Sequence, residues 1–164
     1  MPDPKQRFVR LAAVLREHHE QVARVGEEAR QAFADYEDRT PPRLQLRGIG
    51  GILHDFYTGI ERLFERIAPE LNGGLPAGPS WHRSLLQEMT LELPGVRPPV
   101  LRPETARQLE ELLRFRHLFR NLYGFELEWP RMRALLESLP DVWRAVDADL
   151  HTFLEFLDQS AESS

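Results

Sequence analysis

The amino-acid sequence predicts an all-α protein, folded as an antiparallel four-helix bundle with one short extra helix. Apolar residues recur at alternating steps of three and four along most of the chain, which is the period of an amphipathic helix. Clusters of proline and glycine separate these stretches, and no segment alternates apolar and polar residues as a β-strand does. With 164 residues, the chain is long enough to bury a core as one domain.

The first two helices are predicted to form a hairpin. One apolar stripe runs from Phe8 to Tyr36, and a second runs from Leu46 to Ile67. Thr40-Pro41-Pro42 separates them and makes a short turn, so the two helices should lie antiparallel. Four glycines interrupt the second stripe, and we expect them to allow close contact with a neighbouring helix. These are Gly48, Gly50, Gly51 and Gly59.

The second half of the chain contains the short helix and the last two long helices. Residues 69–80 are rich in proline and glycine and predict a loop, after which Ser80 begins a short helix to about Met89. A second irregular link leads to a helix over 103–123, which Gly124 ends. The last helix begins near Pro130, with a break or kink expected at Ser138–Asp141. We assign a single domain to residues 1–164, with its core at about 5–158 and a flexible tail at 160–164.

Composition excludes some classes of protein. The formal net charge of −5 argues against a wholly basic nucleic-acid binder, although it permits a local basic patch. Without cysteine, the chain can form neither disulfides nor a thiolate metal site. Neither a membrane-spanning apolar run nor an N-terminal signal region is evident, so we expect a cytoplasmic protein that does not enter a membrane. Lys5 is the one lysine, and every other basic residue is arginine.

The densest group of functional side chains lies in residues 116–123, Arg-His-Leu-Phe-Arg-Asn-Leu-Tyr, which we name the motif segment. Helical spacing places Arg116, Arg120 and Tyr123 on one face, with His117 and Asn121 on the adjacent face. Arg114 adds a further positive charge. This group predicts an anion site, because arginine binds phosphate through a planar fork. The alternative is that these cations only complement the dipole at the C-terminal end of a helix.

The motif segment resembles the motif of HEPN-domain proteins, and more closely that of the HepT-like toxins, which reads Arg-Asn, three residues, His, one residue, Tyr. Aligned without a gap, Arg116 takes the arginine position and Tyr123 the tyrosine position. His117 stands where asparagine is usual, and Asn121 stands where the catalytic histidine is usual. Segments 46–49, 54–61 and 81–82 also resemble this branch, and the resemblance covers about residues 5–158.

The resemblance implies a metal-independent endoribonuclease that acts as a homodimer, with the motifs of two protomers facing each other across a cleft. Arginine holds the scissile phosphate and histidine transfers a proton. The substrate is RNA, tRNA being one candidate, and no cofactor or metal is needed. HepT-like toxins are paired with an antitoxin, a nucleotidyltransferase of the MNT type, which can adenylate the motif tyrosine. In this chain that residue is Tyr123, and the added phosphate would repel RNA.

The exchange of histidine and asparagine leaves the proton carrier open. Asn121 forms hydrogen bonds but does not titrate near neutral pH. His117 is the first candidate to replace it, and His82 and His54 are the others. Without such a group, the chain would be a non-catalytic module that binds a nucleotidyltransferase and a nucleotide or RNA. A weaker third hypothesis is a purely structural helical dimer.

Other polar residues are assigned accessory or structural roles. Arg114 and Arg120 are candidates for phosphate or RNA binding. The accessory candidates are Arg47, His54, Asp55 and His82. Asp55 either orients His54 or pairs with an arginine of the motif helix, and Trp81-His82 either covers the cleft or anchors the short helix.

For the remaining charged and titratable groups we expect no functional role. His18 falls on the apolar stripe of the first helix and is predicted to be a core histidine, and His19 to lie at the surface. The run of Glu61, Arg62, Glu65 and Arg66 predicts a solvated charged face. Asp147, Asp149 and His151 lack the partners that a metal site needs, so we expect no metal.

Overall fold

The computed structural model describes residues 3–121 and 126–164. Within these residues the chain forms five α-helices and no strand, which confirms the all-α prediction. The helices are α1 (Pro4–Tyr36), α2 (Arg43–Ile67), α3 (Trp81–Glu88), α4 (Pro103–Asn121) and α5 (Trp129–Glu162). Among these helices, none combines the length and the hydropathy that crossing a membrane requires.

Helix α2 is the central element of the bundle. It contacts all four other helices, while α1 packs mainly against α2 and α5. The apolar stripe predicted from the sequence faces the core, and Leu53, Phe56 and Ile60 have no measurable exposure. Burying each such side chain contributes about 1.5–3 kcal/mol relative to leaving it in water. Helix α2 therefore fixes the positions of the elements that surround it.

Two of the four glycines in α2 have the predicted role of allowing close packing. A Cβ atom at Gly59 would lie 2.9 Å from the Cγ2 atom of Val22 on α1, and one at Gly50 would lie 2.7 Å from the Phe119 ring on α4. A Cβ atom at Gly48 or Gly51 would meet no atom within 4 Å. Only Gly50 and Gly59 are thus explained by helix packing.

Of the break or kink predicted at Ser138–Asp141, the break is absent, because α5 continues across Pro140 as one helix. Proline has no N–H group, so the helical hydrogen bond to the carbonyl of Leu136 is missing at this point. The hydroxyl of Ser138 donates to the Leu135 carbonyl one turn back instead of capping a new helix. The apolar stripe of α5 is buried on both sides of Pro140, and this burial outweighs the missing bond.

The link between α2 and α4 contains more structure than the predicted loop. A π-helical turn, Ala68–Asn72, extends α2, and Gly73 ends it in the left-handed conformation at φ 84°. The short helix α3 follows at the predicted place, although the Ser80 side chain makes no capping bond. At the other end of the chain, α5 runs past Ser160 to Glu162, with Ala161 buried.

A buried guanidinium organises the rest of this link. Arg97 is 3% exposed. Its Nε donates to Asn72 Oδ1 at 2.8 Å, and its Nη atoms donate to the carbonyls of Leu91 (2.9 Å), Pro98 (2.9 Å) and Glu88 (3.0 Å). Burial lowers the pKa of Arg97, but an arginine remains protonated in a protein. Arg97 therefore joins the end of the π-helical turn, the end of α3 and the irregular link to α4.

The two classes of glycine in α2 predict opposite effects on stability. Gly59→Ala should lower the free energy of unfolding by about 1–3 kcal/mol, because the β-branched Val22 cannot move away from the new methyl group. Gly51→Ala should raise it by about 0.5–1 kcal/mol, because alanine is the better helix former and the space is open. Urea denaturation of both variants measures the difference, and equal effects would contradict the proposed α1–α2 contact.

Candidate active site

A cavity of about 430 Å³ lies between the C-terminal half of α4 and the start of α3. Four arginines and two histidines line it, together with uncharged residues, and none of its described lining residues is acidic. We call it the cationic pocket. Its charged and titratable residues are His82, Arg83, Arg114, Arg116, His117 and Arg131. The pocket is therefore positive although the chain as a whole is negative.

The packing of α4 decides which of its cations reach this pocket. Leu112 and Phe115 are 2% and 1% exposed, so they fix the rotation of the helix against the core. Their apolar side chains leave Arg114 and His117 exposed at the rim of the pocket. Arg116 adjoins the buried face and is only 8% exposed. One helix thus supplies a deep guanidinium and two groups in contact with solvent.

Beneath the pocket, the buried carboxylate of Glu61 joins three helices. His82 Nδ1 on α3 donates to Glu61 Oε2 at 2.8 Å, and Arg116 Nη2 on α4 lies 3.7 Å from Glu61 Oε1. Glu61 itself belongs to α2 and its side chain is 3% exposed. We name these three residues the Glu61 bridge. The carboxylate directs the imidazole and the guanidinium toward the same cavity.

The burial of Glu61 corrects the prediction that residues 61–66 form a solvated charged face. A buried carboxylate must be paired, since the desolvation of an isolated charge is very unfavourable. His82 and Arg116 provide that pairing. The neighbouring Arg62 and Arg66 are exposed as predicted, and Glu65 is half-buried.

Two other groups of α2 respond to the charge of Glu61. Tyr57 lies one turn before it, and burial raises the pKa of the Tyr57 hydroxyl, with a further rise from the Glu61 carboxylate. Glu65 lies one turn after it, where burial and then the Glu61 charge raise the pKa of the Glu65 carboxyl. Arg116 acts on both residues in the opposite direction. The charges of Glu61 and Arg116 thus act on Tyr57 and Glu65 as well as on each other.

The motif segment only partly enters the cationic pocket. Arg116 and His117 line it, whereas Arg120 and Asn121 are exposed and do not. The amide Nδ2 of Asn121 donates to the backbone carbonyl of His117 at 2.7 Å, one turn earlier on the same helix. Tyr123 lies outside the described residues. Arg116 and Arg120 were predicted to share a face of the helix, but Arg116 is buried and Arg120 is exposed.

Among the other predicted residues, Arg114 and His82 belong to the pocket. The guanidinium of Arg114 also pairs with Glu110 and Glu111 on its own helix. His82 contributes both to the site and to the position of α3, because its ring lies 3.7 Å from that of Trp81 and binds Glu61.

His54, also on α2, lies outside the cationic pocket. Of the two alternatives for Asp55, the structure has the pairing with His54, whose Nδ1 lies 3.3 Å from Asp55 Oδ1. The His54 ring contacts Phe119 near the end of α4, with 5.4 Å between ring centroids. Arg47 is exposed two turns earlier on α2. None of these three predicted accessory residues lines the cationic pocket.

His18 differs from the prediction of a core histidine. It is only half-buried and lines a cavity on the α1–α2 face with Asp55 and Arg62. Burial lowers the pKa of His18, and the charge of Arg66 lowers it further.

Sequence reasoning missed Glu61, Arg83 and Arg131 as members of the site. A signal for Glu61 was present, because it follows Tyr57 by four residues and precedes Phe64 by three, on the buried side of α2. Arg83 and Arg131 carried no local signal. The packing of α3 and α5 around α4 brings them to the cavity.

A comparison with models of protein families identifies the family of this chain. The family model described as HepT-like protein matches residues 48–157, which is more than half of the chain. The chain belongs to the HepT-like family. The match includes all three residues of the Glu61 bridge and the motif segment, and α1 lies outside it. No curated protein and no solved structure matches the chain significantly.

The Glu61 bridge predicts unequal effects of two isosteric substitutions on α2. Glu61→Gln should lower the free energy of unfolding at pH 7 by about 1–3 kcal/mol, because it leaves the nearly buried Arg116 without its counter-charge. Glu65→Gln should raise it slightly, because the Glu65 carboxyl has a raised pKa in the folded state and its ionisation opposes folding.

The pH dependence provides the control. The folded protein binds the Glu65 proton more tightly than the unfolded chain, so wild type loses stability as pH rises through the Glu65 titration. The advantage of Glu65→Gln should therefore be present at pH 7 and vanish below about pH 4, where the unfolded carboxyl is also protonated. Urea denaturation at both pH values measures this difference. A Glu61→Gln variant as stable as wild type would contradict the bridge.

Proposed function

We propose that this HepT-like protein is the toxin component of a toxin–antitoxin pair and cleaves RNA without a metal ion. The observation that carries the proposal is the Glu61 bridge, which holds an imidazole and a guanidinium side by side at a cationic pocket. Phosphate is the ligand that such a pocket favours, because arginine forks match its oxygens. A histidine held beside that phosphate site supplies the proton transfer that cleavage requires.

His82 is the best candidate for the general base. The carboxylate of Glu61 accepts from Nδ1, so the neutral ring keeps Nε2 unprotonated and free to accept a proton. In the proposed reaction, His82 removes the proton of a ribose 2′-hydroxyl and the 2′-oxygen attacks the adjacent phosphorus. The bond from phosphorus to the 5′-oxygen breaks, which yields a 2′,3′-cyclic phosphate and a free 5′-hydroxyl.

Two residues of α4 complete the proposed cleavage reaction. Arg116 neutralises the charge that develops on the phosphoryl oxygens. His117, exposed at the rim of the same pocket, is the candidate that protonates the leaving 5′-oxygen. Asn121 is left without a part in proton transfer, since its amide is bound to the His117 carbonyl.

We also propose that the active form is a homodimer and that its partner is an MNT-type nucleotidyltransferase antitoxin. Both rest on membership of the HepT-like family. The partner would transfer AMP from ATP to the phenolic oxygen of Tyr123 and release pyrophosphate. The new phosphodiester would add a negative charge to the motif segment, and this charge would disfavour the binding of RNA.

A second function is favoured by a specific observation. The residue at the usual catalytic histidine position is Asn121, and Glu61 already offsets part of the Arg116 charge. These features suit a non-catalytic module that binds RNA or a nucleotide and docks a nucleotidyltransferase. Binding without cleavage distinguishes this function from the first.

Cleavage is predicted to depend on Arg116 and His82. Purified protein incubated with total tRNA and EDTA should produce fragments ending in a 2′,3′-cyclic phosphate. Arg116→Ala should reduce the cleavage rate by about 10²–10³-fold because the oxyanion loses its cation. His82→Asn should reduce it by about 10²–10⁴-fold because the proton carrier is lost. Gel electrophoresis and end-group analysis measure both effects.

Arg107→Ala is the matched control, because Arg107 is exposed on α4, pairs with Glu104 and does not line the pocket. It should cleave at the wild-type rate. Circular dichroism establishes that each variant is folded. Wild-type protein that binds tRNA but leaves it intact between pH 6 and 8 would exclude the ribonuclease and support the binding module.

Adenylation is predicted at Tyr123. Incubation with ATP and the proposed nucleotidyltransferase should add one AMP group, found by mass spectrometry on the peptide containing Tyr123. Tyr123→Phe should abolish the modification, while Tyr36→Phe, which changes a half-buried tyrosine at the end of α1, should leave it unchanged. Labelling that persists in Tyr123→Phe would rule out this site.

A further inference from the structure

A second polar cluster lies between α1 and α5. It consists of His19 on α1 with Asp147 and His151 on α5, and none of these residues lines the cationic pocket. Their ligand atoms lie within 4.8 Å of one another. We name these three residues the α1–α5 cluster. Its exposure increases from His19 and Asp147, which are half-buried, to His151, which is exposed.

The contacts of the cluster converge on one carboxylate. His19 Nε2 lies 2.5 Å from Asp147 Oδ1, and His151 Nδ1 lies 3.2 Å from the same oxygen. The His151 Nδ1 atom is also 2.8 Å from the backbone oxygen of Asp147. Two imidazoles and one carboxylate therefore surround a single point at the surface of the helix pair.

The fold makes this convergence rigid on one side. Asp147 and His151 are four residues apart, so they share a face of α5. Helix α1 packs along α5, and His19 is held there by the ring of Trp143, with 5.0 Å between ring centroids. The His151 ring is exposed, and its Nδ1 contacts the Asp147 backbone oxygen, so this contact must be given up before Nδ1 can bind a metal ion. The cluster thus combines two ligands positioned by helix packing with one exposed ligand.

The partners of Asp147 differ from those of the other acidic residues nearby. Arginine supplies nearly all of the positive charge in this chain, and three neighbouring aspartates on α5 pair with it. These are Asp141 with Arg144, Asp149 with Arg102 and Asp158 with Arg16. Asp147 instead faces two imidazoles. Two neutral imidazoles and a carboxylate form a ligand set for a transition metal, whereas arginine would exclude one.

We propose that the α1–α5 cluster binds a divalent transition-metal ion of the Zn²⁺ class, with water completing the coordination. Nitrogen ligands favour Zn²⁺ over Mg²⁺ and Ca²⁺, which prefer oxygen. The sequence-based expectation that Asp147, Asp149 and His151 lack metal-binding partners did not consider His19, because its helix is distant in the chain; Asp149 pairs with Arg102 and is not part of the cluster. The ion would join α1 to α5 and would take no part in RNA cleavage.

Metal entry requires a small rearrangement. Ligand atoms of a tetrahedral zinc site are about 3.3 Å apart, given metal–ligand distances of about 2.0–2.1 Å. The His19–Asp147 contact must therefore open by somewhat less than about 1 Å. The carboxylate of Asp147 is 38% exposed and can make this movement without disturbing the core.

The test is zinc binding to the full chain after EDTA treatment and removal of the chelator at pH 7.5. Isothermal titration calorimetry should give one Zn²⁺ site per protomer. At about 100 times the Kd, Zn²⁺ should raise the Tm by about 5–10 °C, while Mg²⁺ should not. Co²⁺ bound at the same site should show visible absorption that Zn²⁺ displaces.

His151→Asn is the decisive variant, because His151 is exposed and the substitution should not disturb folding. It should weaken Zn²⁺ binding by at least about 10–100-fold, the loss that even an outer-shell substitution causes, and remove the Tm shift at the same Zn²⁺ concentration. His18→Asn is the matched control, since His18 is the adjacent residue on α1 but lines a different cavity. It should bind Zn²⁺ as wild type does. Absence of a Zn²⁺-dependent Tm shift in wild type, or an unchanged Kd in His151→Asn, would overturn the proposal.

Discussion

One buried carboxylate determines the geometry of the candidate active site. Glu61 lies on the central helix of the bundle, where the apolar core excludes water from its side chain. Because a charge in that position must be paired, the helices carrying its partners have to dock in a fixed orientation. His82 brings α3 to the site, and Arg116 joins α4 to the same carboxylate once Leu112 and Phe115 have fixed the rotation of that helix. The remaining arginines of the cavity then converge around a point that Glu61 has already set.

The position of Glu61 meets two requirements that conflict in a phosphate site, namely compensation of the positive charge and the absence of an acidic group from the cavity. A cavity with several cations needs a compensating negative charge to remain folded, but an acidic group inside the cavity would repel the anion. Placing Glu61 below the described lining, in contact with His82 and Arg116, satisfies the first requirement without creating the second problem. The same carboxylate selects the protonated nitrogen of the His82 ring. A chain with a net charge of −5 can in this way line a cavity with arginine and histidine and with no acidic residue among the described lining.

The helices could be predicted from sequence because apolar periodicity and Pro/Gly punctuation are local properties. The position of Arg116 on the motif helix was predicted on the same basis. The depth of Arg116 and the burial of Glu61 were not, because both depend on contacts between helices distant in the chain. His82 was included only as an accessory residue for the same reason. At Pro140 the sequence indicates a helix end, but the helix continues because the apolar stripe is buried on both sides of the proline.

The buried guanidinium of Arg97 has a consequence for how the site is assembled. Helix α3, which carries His82, has eight residues and is too short to be stable in isolation. Arg97 binds the carbonyl of Glu88 at the end of that helix and the side chain of Asn72 beyond α2. When segment 73–100 opens locally, α3 is lost and His82 leaves the pocket. The free energy of this local opening is therefore also the free energy of removing His82 from the site. An anion that binds only the assembled pocket must slow amide hydrogen exchange and proteolysis throughout this segment, including at residues it never touches.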